Sequence, residues 1–214
     1  MKNNNSQSEN ISTGSSMIAK IKVSLFAFIV LVGLGMSAYA GDFALDKAAS
    51  KVKWEAKKVT GKHNGTISFA SGTITAKKGV ISAGSFVIDM KTIICEDLTD
   101  AGYNKKLIGH LTSDDFFGVA KFPESTMTIK TVAPISGDDY KIIADLTIKG
   151  ITQPVAFTAK VTKDGPQISA SGVITVNRTL YGIKYGSASF FQGIADKAIE
   201  DNFTLTFSIV AKKI

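Results

Sequence analysis

The amino-acid sequence predicts an all-β fold of antiparallel strands, and three observations support this prediction. Apolar and polar residues alternate along most of the chain after residue 40, as in strands that bury one face. Short turn signals rich in glycine and aspartate separate these segments, and such connections join antiparallel neighbours. Helical periodicity does not recur between the strands. A sandwich and a closed barrel are the two architectures that satisfy these conditions.

The predicted strands follow one another from residue 51 to residue 211. Val52, Trp54 and Ala56 share one face of the first strand, and charged residues occupy most of the other face. Together with weaker alternation at 73–78, this makes eight or nine strands, and the unusual length of 140–149 favours a barrel. The other alternating segments are Ile67/Phe69, Phe86/Ile88/Met90, Met127/Ile129, 140–148, 155–161, 168–176 and 203–211. The turn signals between segments include Ser71-Gly72, Lys78-Gly79, residues 136–139 and residues 163–166.

Two segments interrupt the alternation, and we expect function to lie there because binding residues concentrate in connections. Within residues 97–118, the spacing of Leu98, Leu107 and Leu111 predicts one short helix, with the sequence from Asp97 onward as its cap. Residues 177–202 place three glycines between aromatic residues, a composition that suits either a mobile flap or an ordered plug.

Composition indicates one globular domain and excludes several classes of protein. The chain has 214 residues, 44% hydrophobic and 20% charged, which is too apolar for a disordered protein. A single cysteine excludes an internal disulfide and a zinc site made of several cysteines. The net charge of +7 comes mainly from lysines, which we interpret as the solvated face of the sheet, with attraction of an anionic ligand or membrane as the alternative. Nucleic acid is not an expected partner, because an arginine-rich patch interleaved with aromatics is missing.

Residues 1–40 have the features of a secretory signal peptide. An uncharged apolar run, residues 23–36, follows two lysines and precedes a small-residue sequence that ends at Ala40. The run is shorter than the ~20 residues that a membrane-spanning helix needs. We therefore expect cleavage after Ala40 and a periplasmic or secreted mature protein, residues 41–214, without a transmembrane anchor. Met17 is an alternative start codon.

Residues capable of chemistry do not form a recognisable catalytic or metal-binding motif. His63 and His110 would have to pair with each other or recruit carboxylates such as Asp114 and Asp115 to hold a metal. Cys95 lies in an apolar run that suits a buried thiol. A nucleophile elbow and a phosphate-binding glycine loop are also missing. We therefore predict a binding protein and not an enzyme, with no catalytic residues, no metal site and no cofactor.

A series of short motifs covers nearly all of residues 43–213, in order and without large gaps. Its segments are Trp54, 61–65, 86–90, 110–117, 121–123, 146–152, 177–186 and 193–199. This series resembles the YceI family of exported polyisoprenoid-binding proteins. A family feature is missing at Leu180, where the resemblance leads us to expect an acidic residue.

The resemblance implies a lipocalin-like antiparallel barrel of about eight strands, with one short helical insertion, around an elongated apolar pore. In such a barrel the inward side chains and the two interrupting segments would contact an isoprenoid chain or a similar lipid. The candidate ligand-binding residues are Trp54, Phe69, Phe86, Ile88, Met90, His110, Phe116, Phe117, Leu146, Ile148, Phe157, Arg178, Tyr181 and Phe190.

The sequence leaves the role of these residues open, because inward apolar side chains also fill ordinary cores. Phe116 and Phe117 suit a plug at one barrel end, and Arg178 suits either the ordering of a loop or contact with an anionic head group. One hypothesis is a periplasmic binding or carrier protein for a long apolar ligand such as an isoprenoid quinone or a polyprenyl phosphate. The other is an exported structural or interaction module with a fully packed barrel. Transient contact with a membrane or a membrane redox protein, and a homodimer, are further hypotheses.

Overall fold

The chain forms one antiparallel sheet in a computed structural model that describes residues 40–77 and 79–214. The predicted signal peptide up to residue 39, and Lys78 of the predicted Lys78-Gly79 turn, lie outside the described residues. Among the described residues no helix is both long and apolar enough to cross a bilayer. The elements are β1 (Gly41–Leu45), β2 (Lys51–Lys58), β3 (Gly61–Lys77), β4 (Val80–Cys95), α1 (Ala101–Thr112), β5 (Glu124–Ser136), β6 (Asp139–Ile148), β7 (Ile151–Asp164), β8 (Gln167–Asn177) and β9 (Ile199–Lys213).

The sheet closes into a barrel because its two ends pair with each other. The strands follow the order β3-β2-β9-β8-β7-β6-β5-β4, and β4 pairs back to β3. The short strand β1 pairs with β3 and β9 beyond the end of β2, so β1 and β2 occupy one barrel position in succession. The prediction of one antiparallel barrel of about eight strands is confirmed, and the sandwich alternative is excluded.

One predicted turn is wrong, because Ser71-Gly72 lies inside the continuous strand β3. Pairing with β4 continues through this point, with Phe69 opposite Ile88 and Ser71 opposite Val87, and only the register shifts. A Cβ atom on Gly72 would lie 2.7 Å from the Phe86 ring, so the glycine accommodates close packing at a bulge. The segment Ile67/Phe69 and the described part of the segment 73–78 therefore belong to one strand, which ends at Lys77, while β1 was not predicted at all.

The short helix predicted within residues 97–118 is confirmed as α1. Its N-terminus is capped by Asp100, whose carboxylate accepts a hydrogen bond of 2.8 Å from the backbone N–H of Tyr103. The helix buries Leu111 against the barrel, while most of its other side chains are exposed or partly exposed. Helix α1 therefore lies across one end of the barrel and does not join the sheet.

The core consists of two clusters of buried apolar residues along the barrel interior. One cluster, on the side of α1, includes Trp54, Leu146 and Val176. The other, at the opposite end, includes Phe43, Ile74 and Ala211. The inward positions of β2, β6 and β8 follow the alternation read from the sequence, because successive side chains of a strand point to opposite faces.

Truncation before Phe203 is predicted to abolish folding, because it removes most of a strand that pairs with β1, β2 and β8. The loss exposes two long edges and removes inward side chains such as Ile209, whose burial contributes about 1.5–3 kcal/mol. We expect a fragment of residues 41–202 to show no cooperative unfolding by circular dichroism, whereas 41–213 unfolds cooperatively. A cooperative transition in the shorter fragment would contradict the requirement for closure.

Candidate ligand-binding cavity

Two adjoining apolar cavities lie inside the barrel. The deep cavity is lined by residues such as Phe86, Phe157 and Phe207, and the empty space between its walls, including space open to solvent, is about 820 Å³. The capped cavity is lined by residues such as Trp54 and Leu111, and the corresponding space is about 880 Å³. The two cavities share the lining residues Val52, Ile88, Ser125, Leu146 and Leu205.

The structure places most of the candidate residues on the walls of these cavities. His110, Tyr181 and Phe190 are not among the lining residues, and their surroundings are described below. Candidates that line the deep cavity only are Phe69, Phe86 and Phe157. Candidates that line both are Ile88 and Leu146. Candidates that line the capped cavity only are Trp54, Met90, Phe116, Phe117, Ile148 and Arg178.

Sequence reasoning missed several lining residues. Val52, Leu205 and Phe207 belong to alternating faces that the sequence already indicated, so periodicity could have added them to the site. Ser125 had no such signal, because a serine on a strand is usually exposed. In the structure its hydroxyl is buried and donates a hydrogen bond of 3.1 Å to the sulfur of Met90. The Ser125 hydroxyl, at the junction of the cavities, therefore already has a partner.

Small inward residues leave part of the barrel interior empty. Ala159 lines the deep cavity and Ala56 lines the capped cavity, so each short side chain leaves room that a larger one would fill. Gly172 acts differently, because a Cβ atom there would lie 2.9 Å from the Phe207 ring. This glycine allows an aromatic side chain to pack, and it does not enlarge the cavity.

A structure that we call the cap, residues 98–119 and 178–199, covers one end of the capped cavity. Leu111 and Phe116 contribute its apolar underside from the helical segment, and Ile183 does so from the second segment. The two segments meet at His110, whose ring packs edge-on against Phe116 at 4.8 Å and against Tyr185 at 4.6 Å between centroids. His110 therefore joins the two parts of the cap.

Arg178 orders the second segment of the cap from a buried position, with only 4% of the residue exposed. Its Nη1 donates to the carbonyl oxygens of Ile183 and Tyr185, at 3.0 and 2.8 Å. The remaining bonds run from Nε to Glu200 O and from Nη2 to Ile199 O, at 3.0 and 2.9 Å. Of the two roles that the sequence left open for Arg178, the structure shows loop ordering.

The electrostatic surroundings of Arg178 are those of a buried cation. Burial lowers the pKa of Arg178, while the carboxylate of Asp201, 3.7 Å from Nη2, acts in the opposite direction. The pKa of Asp201 is itself lowered: partial burial opposes the shift, but hydrogen bonds from Ser187 and Ser189 and the charge of Arg178 outweigh it. The pair stays charged because both members are held by polar partners.

Tyr181 and Phe190 lie away from the cavity walls. Tyr181 is 1% exposed, and its hydroxyl has no hydrogen-bond partner among the described residues. Burial raises the pKa of this phenol to about 12. Phe190 is 48% exposed, and the ammonium group of Lys184 lies 4.5 Å from the centre of its ring. The first residue thus packs the cap internally, and the second lies on its outer surface.

Closure, an apolar interior and a cap define the class of this protein: a single-chain antiparallel β-barrel that encloses an apolar cavity. The chain belongs to the YceI-like domain family, whose sequence model matches residues 43–211. A UPF0312 protein of Staphylococcus aureus strain USA300 is 34% identical over 116 residues, which are 50% of this chain and 64% of that protein. The chain thus spans less than two thirds of the length of this relative.

Solved structures of low sequence identity share the fold. BcnA of Burkholderia cenocepacia superposes with a TM-score of 0.63 and 23% identity, over 78% of this chain and 99% of BcnA. A polyisoprenoid-binding domain from Saccharophagus degradans, implicated in plant cell wall breakdown, superposes with a TM-score of 0.59 and 15% identity, over 80% of this chain and 98% of that domain.

Replacing Arg178 with lysine is predicted to destabilise the cap. Lysine cannot reproduce the planar fork that reaches four carbonyl oxygens, so several buried acceptors lose their donor. We expect the free energy of unfolding to fall by about 2–4 kcal/mol and proteolysis within residues 182–198 to accelerate. Urea unfolding and limited proteolysis measure the two effects. Wild-type values in both assays would show that Arg178 does not hold the cap.

Replacing Tyr181 with phenylalanine is predicted to stabilise the protein by about 1 kcal/mol, because it removes a buried hydroxyl without a partner. The substitution should also change the response to alkali. The folded pKa of about 12 exceeds the unfolded value of about 10, so the wild type loses stability as pH rises through this interval. Urea unfolding of both proteins at pH 8 and pH 11 measures the difference. The prediction would be contradicted if the difference in free energy of unfolding between the two proteins were no larger at pH 11 than at pH 8.

Proposed function

We propose that this protein binds one long-chain apolar ligand inside the barrel and acts as a periplasmic binding or carrier protein. Such a long-chain apolar ligand is an isoprenoid quinone, a polyprenyl phosphate or a similar lipid. The observation that carries the proposal is the pair of adjoining cavities, whose walls are almost entirely apolar. An elongated apolar space of this kind fits a chain better than a compact polar metabolite.

The cavities favour this proposal over a fully packed structural module. A barrel that served only as a scaffold would gain stability by filling its interior, because protein cores are normally close-packed. Here the small side chains of Ala56 and Ala159 lie on cavity walls instead. The polyisoprenoid-binding domain of Saccharophagus degradans has the same fold and lends support by analogy.

The distribution of polar groups suggests how the ligand is oriented. Arg178 and Glu200 line the capped cavity, whereas the walls of the deep cavity are formed by apolar residues with Ser125 and Thr126. We place the ligand tail in the deep cavity and its head near the cap. Apolar walls make few directional demands, so affinity should rise by about 0.8 kcal/mol at most for each buried CH₂ until the space is full.

Passage of the ligand requires movement of the cap. Gly182, Gly186 and Gly193 have positive φ angles of 75°, 63° and 71°, which place three conformationally permissive residues in its second segment. Phe190 and Phe191 are exposed on the same segment. We propose that this segment swings outward to admit the ligand, with its aromatic residues making transient contact with a membrane.

The proposal is a binding function without catalysis. Cys95 is the free cysteine of the chain, and burial raises the pKa of its thiol, which does not suit a nucleophile. His110 packs within the cap, and Arg178 is occupied by carbonyl oxygens. These groups support the structure of the site and leave the binding step to the apolar walls.

Glutamate in place of Phe157 or Ile148 is predicted to reduce the amount of bound lipid. A carboxylate on either cavity wall would have to be desolvated by the ligand, so we expect at least ~10-fold less lipid per protein. For the measurement, each variant is expressed in a bacterium that exports it and is purified without added detergent. Native mass spectrometry and extraction with organic solvent then give the amount of bound lipid per protein.

The matched control is Ile143→Glu, because Ile143 lies on the same strand as Ile148 but is 38% exposed. Circular dichroism establishes that each variant is folded before lipid is measured. Folded Phe157 and Ile148 variants that carry as much lipid as wild type would refute binding in the cavity. A wild-type protein that carries no lipid would favour the packed module.

A further inference from the structure

Three side chains with metal-ligating atoms converge outside the cavities. They are His63 on β3, Cys95 at the end of β4 and Asp97 in the turn that follows. Their ligand atoms all lie within 4.8 Å of one another. His63 Nδ1 is 2.8 Å from Asp97 Oδ2, and the Cys95 thiol donates a hydrogen bond of 3.2 Å to Asp97 Oδ1. The sequence did not indicate this group, because 32 positions separate His63 from Cys95.

The backbone holds these residues together without any ligand. Gly65 lies opposite Cys95 in the β3–β4 pairing, and a Cβ atom on Gly65 would lie 1.8 Å from the carbonyl oxygen of Ile94. Only a glycine allows the two strands to approach this closely. The approach brings the end of β4 beside the strand that carries His63.

Further hydrogen bonds fix the turn that carries Asp97. The backbone N–H of Asn64 donates to Asp97 Oδ1 at 2.8 Å, and the N–H of Glu96 donates to Asn64 O at 2.9 Å. The side-chain amide of Asn104, on α1, donates to the carbonyl oxygens of Cys95 and Leu98 at 3.0 and 2.9 Å. The site is therefore preorganised and is connected directly to α1.

The Asp97 carboxylate supplies the negative charge of the group. Partial burial acts to raise the pKa of Asp97, but hydrogen bonds from the Asn64 N–H, His63 and Cys95 outweigh it and lower the value to about 2. The carboxylate is thus anionic at any physiological pH. Burial raises the pKa of the Cys95 thiol, so displacing its proton costs part of the free energy of metal binding.

We propose that His63, Cys95 and Asp97 bind one zinc ion, with water as the fourth ligand. A thiolate and an imidazole select zinc over calcium and magnesium, which prefer oxygen ligands. Metal–ligand distances of about 2.0–2.3 Å in a tetrahedron place ligand atoms roughly 3.3–3.8 Å apart, so shifts below about 1 Å convert the hydrogen-bonded group into a zinc site. The side chains of His63 and Asp97 are 27% and 26% exposed, which leaves access for the ion and for water.

Zinc at this position would strengthen the attachment of the cap. The ion would link β3 to the segment that leads into α1, and a ligand that binds only the folded state stabilises that state. Binding releases the Cys95 thiol proton to solvent and places the remaining proton of His63 on Nε2. The zinc proposal does not depend on the ligand of the cavities.

The test uses the full mature chain, reduced and freed of metal with a chelator, and titrated with zinc chloride by calorimetry. We expect one zinc ion per chain and an increase in the thermal unfolding temperature. Cys95→Ser and His63→Gln should each weaken binding by at least ~100-fold, more than the loss of an outer-shell partner usually costs. Asp145→Asn is the control, because Asp145 is also a carboxylate with a charged partner, 3.3 Å from Lys130, but lies on β6, outside the cap and outside the proposed zinc site.

Cobalt(II) gives a second readout that needs no variant. Cobalt bound by a thiolate in a tetrahedral site shows a sulfur-to-metal charge-transfer band in the near ultraviolet and strong visible bands. We expect both in the wild-type protein and their loss when zinc is added. A wild-type protein without the charge-transfer band, or a folded Cys95→Ser protein that binds zinc as tightly as wild type, would overturn the proposal.

Discussion

Closure of the sheet between β3 and β4 is the constraint on which the rest of this structure depends. A closed sheet removes free edges and forces one face of every strand toward a common axis. With eight barrel positions the interior is wide enough that side chains must be large to fill it. Alanines at positions such as 56 and 159 do not fill it, so closure converts an alternating sequence into an apolar cavity.

The sheet does not cover the ends of the barrel, so other segments must cover the cavity there. At one end the buried Arg178 orders such a segment, because its guanidinium group donates hydrogen bonds to four backbone carbonyl oxygens. The arrangement is not fully satisfied, because the Tyr181 hydroxyl is buried without a hydrogen-bond partner among the described residues. Such an unpaired group lowers stability.

The proposed zinc site and the cavity proposed to hold lipid lie on opposite sides of the same part of the barrel wall. Trp54 lines the capped cavity, while its indole N–H donates to the carbonyl oxygen of Ile94 at 3.1 Å, next to the thiol of Cys95. The turn that carries Asp97 leads into α1, whose Leu111 closes the cavity. An ion held outside would therefore stabilise the helix that covers the interior. The two proposed functions are separable, because His63, Cys95 and Asp97 do not line either cavity.

The sequence by itself determined the properties that depend on neighbouring residues. The alternation of apolar and polar residues predicted the inward side chains of β2 and β6, because neighbouring side chains of a strand point to opposite faces. The residues before α1 predicted its N-terminal cap, because a capping side chain bonds to a backbone N–H only a few positions away. Tertiary structure alone decided that Gly72 lies within a strand, that Tyr181 packs away from the cavity and that His63 meets Cys95. Each of these depends on strand register and on contacts between distant segments, and a local pattern does not specify which distant residues will meet.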